Sequence, residues 1–395
     1  MFPTDVVIVA GARTPMARYT GAFSEVSAIE LAAVASREAI RRSGVHAGEF
    51  DHAIFGNVMQ TSADALYGAR HVALKAGLKT ETPAVTVNRL CGSGIEAISQ
   101  AAQRLLLGEA TMVLAGGMEN MTQAPFVIRG ARSGLKLGGG ALEDSLMAGL
   151  TDTFCGLPMA LTAEKLAAEK GITRQEADAY ALRSQQLADA AYKGGRIQEE
   201  LVSVEVKQGK KTVLVSEDDH RRPETTLETL QKLPASFKKD GMVTAGNASG
   251  IVDGAAAVVV TRESVAKERG LKPIGRIISW ASAGVDPSIM GIGPVPASRK
   301  ALQLAGLALK EMDRVEVNEA FAAQYLAVEK GLGLVREKTN VNGGAIALGH
   351  PLGASGTRLV ITLLGELRRN NLRYGLATAC IGGGQGIAMI VESLH

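Results

Sequence analysis

Residues 84–117 read AVTVNRLCGSGIEAISQAAQRLLLGEATMVLAGG. A short β-branched run, residues 84–87, enters the turn Asn88-Arg89-Leu90-Cys91-Gly92-Ser93-Gly94. Ile95, Ile98, Ala102 and Leu105 then recur at helical spacing. Residues 111–115 form a second apolar run that ends in Gly116-Gly117. Strand, turn, helix and strand in that order predict a layered α/β fold with largely parallel pairing.

The same grammar holds on both sides of this stretch. Residues 6–10 and 53–55 read as strands and 29–42 as a helix. After residue 250 it resumes, with strands predicted at 254–261, 315–317, 376–379 and 387–391. Residues 342–356, NGGAIALGHPLGASG, open a helix carrying Leu359, Leu363 and Leu367. The two ends therefore share a layout. Each places a reactive side chain, Cys91 or His350, in a glycine-rich turn before a helix, a strand and a second glycine turn. We read a weak internal duplication. Residues 121–249 break the pattern. They hold a glycine-rich stretch at 134–140, a helical stretch at 162–193 interrupted at Gly171, and a hairpin expected at 202–206 and 212–215. They read as an insertion.

Composition bounds the function. Of 395 residues, 46% are hydrophobic, 21% are charged and the net charge is +3. These are values of a globular protein, not of a disordered or fibrous one. Only 4% are aromatic, which with the small charge argues against a nucleic-acid surface. The apolar runs are strand-sized, far below the ~20 residues that span a bilayer. The N-terminal MFPTDVVIVAGARTP lacks a basic secretory n-region, and three cysteines make no disulfide framework. An intracellular protein with free thiols is expected.

Cys91 leads the candidates for chemistry. A thiol at a strand-to-helix turn feels the positive end of the helix dipole, which is expected to lower its pKa. Nearby backbone N–H groups are placed to hold an oxyanion. The alternative is a buried structural cysteine. His350 is the histidine in a glycine-dense turn, followed by Pro351. It is the base such a nucleophile needs, or a residue making turn hydrogen bonds. Cys380 opens Gly-Gly-Gly-Gln-Gly, whose backbone, Gly382 above all, lies open to a substrate. Asn318, between strand and helix, has the position of an N-cap. Cys155 has no glycine turn or nearby base and is expected to pack. No CxxC, HExxH, dinucleotide or P-loop signature occurs.

Seven blocks in order, NRLCGSG (88–94), GGMENM (116–121), TAGNASG (244–250), MGIGPVP (290–296), NEAFAA (318–323), NGGAIALGHPLGASG (342–356) and CIGGGQG (380–386), together resemble the thiolases. The resemblance runs over nearly the whole chain. LTDTFCGLPMALTAE, RPETTLETLQKLP and NASGIVDGAAAVVV look most like 3-ketoacyl-CoA thiolases of the degradative type. It implies the α/β thiolase fold, two similar αβαβα halves with mixed sheets sharing a buried helix layer. Residues 1–120 with 250–271 would be the first half, 121–249 an inserted loop domain and 272–395 the second half. It implies a homodimer that pairs into a homotetramer, with coenzyme A and acyl-CoA as substrates and no metal or redox cofactor. A bacterial cytoplasmic address is expected, with the mitochondrial matrix as the other address left open.

Carried over by position, the resemblance implies Cys91 as nucleophile, His350 as its activator and Cys380 as the acid/base at the α-carbon. Asn318 would position a water that forms one oxyanion hole with His350. The N–H groups of Cys91 and Gly382 would form the other. Arg222 matches an adenine-side contact and Ser249 a pantetheine contact. Leu150, Met159, Ala245, Met290, Ala320 and Phe321 match the pocket lining. Thr229 stands where serine is frequent. Pro158 stands where biosynthetic acetoacetyl-CoA thiolases often have histidine, and its apolar neighbours Met147, Leu157, Met159 and Leu161 favour longer acyl chains. A decarboxylating ketoacyl synthase would carry His or Asn in place of Cys380. The implied activity is reversible thiolysis of 3-ketoacyl-CoA through an acyl-cysteine. The biosynthetic alternative makes acetoacetyl-CoA from two acetyl-CoA.

Overall fold

The computed structural model describes residues 4–394; His395 lies outside them. Nine strands form the main sheet: β1 (Val6–Arg13), β2 (His52–Gly56), β3 (Ala84–Val87), β4 (Met112–Glu119), β5 (Val252–Arg262), β6 (Gly275–Gly284), β7 (Arg314–Val317), β8 (Tyr374–Ile381) and β9 (Gln385–Ser393). Their order is β7-β8-β9-β6-β1-β5-β4-β2-β3, and the two-residue strand Ala17–Arg18 pairs beside β5. The helices that matter here are α1 (Ala28–Ser43), α2 (Ser93–Leu107), α3 (Met159–Lys170), α4 (Arg174–Lys193), α5 (Pro294–Ala305), α6 (Ala322–Leu332) and α7 (Leu352–Arg369).

The order contains a repeat. Outward from β1, the partners are β5, β4, β2 and β3, paired antiparallel, antiparallel, parallel and parallel. Outward from β6, they are β9, β8 and β7, antiparallel, antiparallel and parallel, with an isolated parallel bridge from Val315 to Thr339 next. β1 and β6 meet through two residue pairs. The internal duplication read from the turns is thus also present in strand order and sense.

The sheet is more antiparallel than the strand–helix alternation predicts. Of the eight pairings along the sheet, five are antiparallel and three parallel. Parallel neighbours are those joined through helical crossovers. β9 returns from β8 by a hairpin, and β5 returns only after the long insertion, so neither connection shows in a strand–helix count. The mixed sheets implied by the resemblance are the ones observed.

Both faces of the sheet are covered, which is why its central strands read as continuous apolar runs. All of β4 is buried, and so is β5 up to its last residue. Val258 and Val260 face a cluster with Ile95, Ile98, Leu359 and Leu363 from α2 and α7, joined by Ala379, Ile387 and Met389 of the second half. Ala257 and Val259 face the opposite cluster, around Ile29, Leu31 and Ala35 of α1. α2 and α7 therefore form the shared middle layer. α5 and α6 cover the outside of the second half, with Ala301 and Tyr325 packed on Ile278 and Ile390.

Within residues 121–249, α3 ends at Gly171, whose φ of 58° suits glycine. α4 restarts with a Thr173–Glu176 capping box. The hairpin forms with slightly later bounds, Val204–Gln208 and Lys211–Val215. Leu166, Tyr180 and Leu230 of this segment join the second half's hydrophobic cluster.

Candidate active site

The turn before α2 is built by short-range hydrogen bonds. Asn88 Oδ1 accepts from the Leu90 N–H at 2.9 Å, and Ser93 Oγ accepts from the Arg89 N–H at 2.8 Å. Leu90 is held at φ 45°, a costly conformation for a branched residue and one that clusters at functional sites. It presents Cys91 just ahead of Gly92, the N-cap of α2. The flanking glycines serve packing. A Cβ on Gly92 would lie 2.5 Å from Ile381, and one on Gly94 would lie 2.4 Å from the Thr357 backbone nitrogen.

Cys91 opens onto a cavity of about 370 Å³ also lined by Leu150, Met159, Ser249, Met290, Ala320, Phe321, His350 and Gly382. Cys380 and Asn318 stand directly behind this wall. Cys380 is fully buried against Met290 and Ala320, with Met159 and Phe321 beside it. Asn318 is fully buried, and its Nδ2 lies 3.2 Å from His350 Nε2. Asn318 is not a helix cap, because α6 starts four residues later with Phe321 at its N-cap.

The network fixes the tautomer of His350. The Ser355 hydroxyl donates to the Pro351 carbonyl at 3.0 Å. It therefore accepts from His350 Nδ1–H, which leaves the Nε2 lone pair facing Asn318 Nδ2 and available for a proton. Burial, then the Arg358 guanidinium, pulls the His350 pKa down to about 3, so the imidazole rests neutral.

The lowered thiol pKa expected for Cys91 is not what the structure gives. Desolvation pushes it up to about 11, although the Gly382 N–H and its own N–H pull the other way. Partial helix charge is the weaker effect once the protein displaces water. Burial, then proximity to Cys91, holds the Cys380 thiol well above its ordinary range. Both thiols rest protonated.

Three more of the expected residues lie together apart from Cys91. Arg222, Thr229 and Ala245 line a separate cavity of about 190 Å³. Ala245 lines this second cavity and not the first, on the 244–247 turn closed by Thr244 N–H to Asn247 Oδ1 at 2.8 Å. Thr229 Oγ1 accepts from the Thr226 N–H at 3.1 Å in the cap of a short helix. Arg222 is exposed, and its guanidinium makes no ion pair among the described residues. Pro158 and Met147 line the first cavity, but Leu157 and Leu161 do not. Cys155 is half-exposed in the turn before Leu157–Pro158 and not packed in the core.

Sequence reasoning passed over Phe237, Ile251 and Leu352 of the lining, and Glu119 beneath it. Leu352 sits inside the His350 motif, where it was legible. Phe237 lies in a polar stretch that gave no signal. Glu119 accepts from Asn57 Nδ2 and from the N–H groups of Val58, Met59 and Gly353 at 2.8–3.2 Å. It ties the first half to the start of α7, and burial pushes its pKa up to about 7. Among the described residues no group of three or more His, Cys, Asp or Glu is arranged to hold a metal, and no helix is long and apolar enough to cross a membrane.

Two domain families match in tandem: the thiolase N-terminal domain over residues 6–264 and the thiolase C-terminal domain over 271–393. The mitochondrial 3-ketoacyl-CoA thiolase of Homo sapiens is 54% identical over 98% of both chains. The acetyl-CoA acetyltransferase of Pseudomonas aeruginosa is 50% identical, again over 98% of both. The crystal structure of human mitochondrial 3-ketoacyl-CoA thiolase in complex with CoA superposes with a TM-score of 0.96 at 53% identity, covering 98% of each chain. A thiol and an imidazole on one cavity, a second thiol behind it, and tandem domain matches across nearly its full length show that this chain belongs to the thiolase family.

Proposed function

We propose that the protein is an acetyl-CoA C-acyltransferase that cleaves 3-ketoacyl-CoA with CoA to acetyl-CoA and a shortened acyl-CoA. The observation that carries this reading is the placement of Cys91 and neutral His350 on one apolar cavity, backed by Cys380 and Asn318. The names of relatives about 50% identical support it.

Each group has a step it is fitted for. His350 Nε2 takes the Cys91 proton as Sγ attacks the 3-keto carbon. The resulting imidazolium and a water held by Asn318 stabilise the oxyanion, and the Asn318 Oδ1, buried without a protein partner, fits that role. The C2–C3 bond breaks, its electron pair passes to C2, and Cys380 gives C2 its proton. Acetyl-CoA leaves. CoA thiol enters, loses its proton to Cys380, and takes the acyl group from Cys91, whose thiol recovers the His350 proton. The N–H groups of Cys91 and Gly382 hold the thioester oxyanion in this half. The residues 121–249 supply CoA contacts, with Arg222 toward the adenine and Ser249 toward the pantetheine. A homotetramer and a cytoplasmic address complete the proposal; "mitochondrial" is the mammalian relatives' own name.

The test is a chain-length series of 3-ketoacyl-CoA thiolysis from C4 to C16. Pro158, Met147 and Met159 make the wall apolar, and each buried methylene adds roughly 0.8 kcal/mol. C6 and C8 substrates should be cleaved with kcat/KM at least equal to that of acetoacetyl-CoA. Cleavage of acetoacetyl-CoA alone would instead support the biosynthetic reading.

A further inference from the structure

We infer that a second cavity, at the far end of α7 from His350, binds a small phosphate-bearing anion. α7 has 18 residues, so its ends lie roughly 27 Å apart at 1.5 Å per residue. Its last turns, with β1, the end of α1, the loop after α4 and the residues just before β6, enclose about 360 Å³. Arg42, Arg196, Lys272, Arg368 and Arg369 line this space, against Glu199 and Glu200.

The two carboxylates are already engaged. Glu200 pairs with buried Arg13 at 2.8 Å and Glu199 with Arg369 at 2.6 Å. Several donors are not. Lys272 and Arg368 make no ion pair or side-chain hydrogen bond among the described residues. Arg196 gives only its Nε, to Asn342 Oδ1 at 2.7 Å. Arg369 Nε is buried without an acceptor. The dipole at the end of α7 accounts for Arg368 and Arg369. It does not account for Arg196 and Lys272, which arrive from other elements; Arg42 is already engaged by Glu38 and by the carbonyls of Gly11, Glu199 and Leu201.

Gly365 is the independent sign. It lies inside α7, where glycine is the poorest helix former after proline. The buried glycines of this helix have steric reasons: a Cβ on Gly356 would lie 2.5 Å from the Ile95 nitrogen. A Cβ on Gly365 would meet only Arg369 Nη2, at 3.8 Å. Packing does not demand glycine there, and its absent side chain keeps the cavity floor open. Guanidinium groups over an open floor suit the oxygens of a phosphate or pyrophosphate group, and the volume suits a small molecule.

The test is calorimetric titration of inorganic pyrophosphate into the enzyme held saturated with CoA, so that the catalytic cavity is occupied. Pyrophosphate should bind with one site per chain, more weakly as salt rises. The pair Lys272→Ala with Arg368→Ala should weaken it about tenfold or more, the worth of a charge-assisted hydrogen bond. Gly365→Leu should block it, while both variants keep the wild-type melting temperature and thiolysis rate. A parallel titration with ADP separates the sources: tighter binding than pyrophosphate indicates a nucleotide, equal binding a free polyphosphate. No binding at millimolar pyrophosphate, or equal affinity in the wild type and the Lys272/Arg368 double variant, would overturn the inference.

Discussion

Desolvation acts on Cys91, His350 and Cys380 in one direction, toward the neutral form. A consequence is measurable at Cys91. With its pKa near 11, the thiolate fraction grows about tenfold per pH unit across the neutral and mildly alkaline range. Carbamidomethylation of Cys91 by iodoacetamide should rise through pH 9 without a plateau. A plateau below pH 8 would mean a resting thiolate–imidazolium pair. The two thiols should also separate by half-reaction. Cys380→Ser should still accept an acyl group from acyl-CoA on Cys91, with C–C cleavage slower by about 10²–10⁴, the usual worth of a general acid/base. Equal loss of both half-reactions would argue against separate roles. Sequence alone picked out Cys91, His350 and Cys380, because each interrupts or abuts a glycine turn. It did not reveal how burial sets their protonation, which depends on the way distant segments fold over the site, Glu119 beside Cys91 among them.

At the scale of elements, the contact between α2 and α7 governs the site. Gly94 lies under the Thr357 backbone, and Gly356 lies under that of Ile95. Gly94→Ala places a Cβ where a backbone nitrogen already stands, and overpacking of this kind costs about 1–3 kcal/mol. Thermal unfolding should show the loss, and thiolysis should fall by more than stability alone explains, since both reactive turns lie at the starts of these helices. Retained activity and melting temperature would show that the helices part easily. The periodicities of α2 and α7 were readable from Ile95, Ile98, Leu359 and Leu363. Their mutual contact was not, because glycine in a sequence does not say whether it serves a turn, a ligand or a neighbouring helix. Asn318 shows the same limit: position suggests a cap, and only the packing of the turn before α7 against the end of β7 brings it to His350.

The whole molecule is clasped by buried charge as well as by its apolar layers. Arg13, fully buried at the end of β1, pairs with Glu200 at 2.8 Å and Asp218 at 2.7 Å, and Glu200 also accepts from Thr362 of α7 at 2.7 Å. β1, the 200–218 segment and α7 are tied together through Arg13 and Glu200. Arg13→Ala leaves two carboxylates buried without their cation, which should cost about 3–5 kcal/mol; denaturant titration that finds less than 1 kcal/mol would show that water replaces it. Fold class was legible because alternating strands and helices leave a local signal. Strand sense was not, because hairpin returns and long insertions connect residues too far apart. The repeated strand order has a further consequence through the glycines at its centre. Where Gly94 and Gly356 meet, the two halves touch main chain to main chain, with no side chain between them. The span from thiol to imidazole is therefore gauged by the peptide backbone itself, like two jaws riveted at one pin, and repacking of the surrounding apolar core leaves that gauge in place.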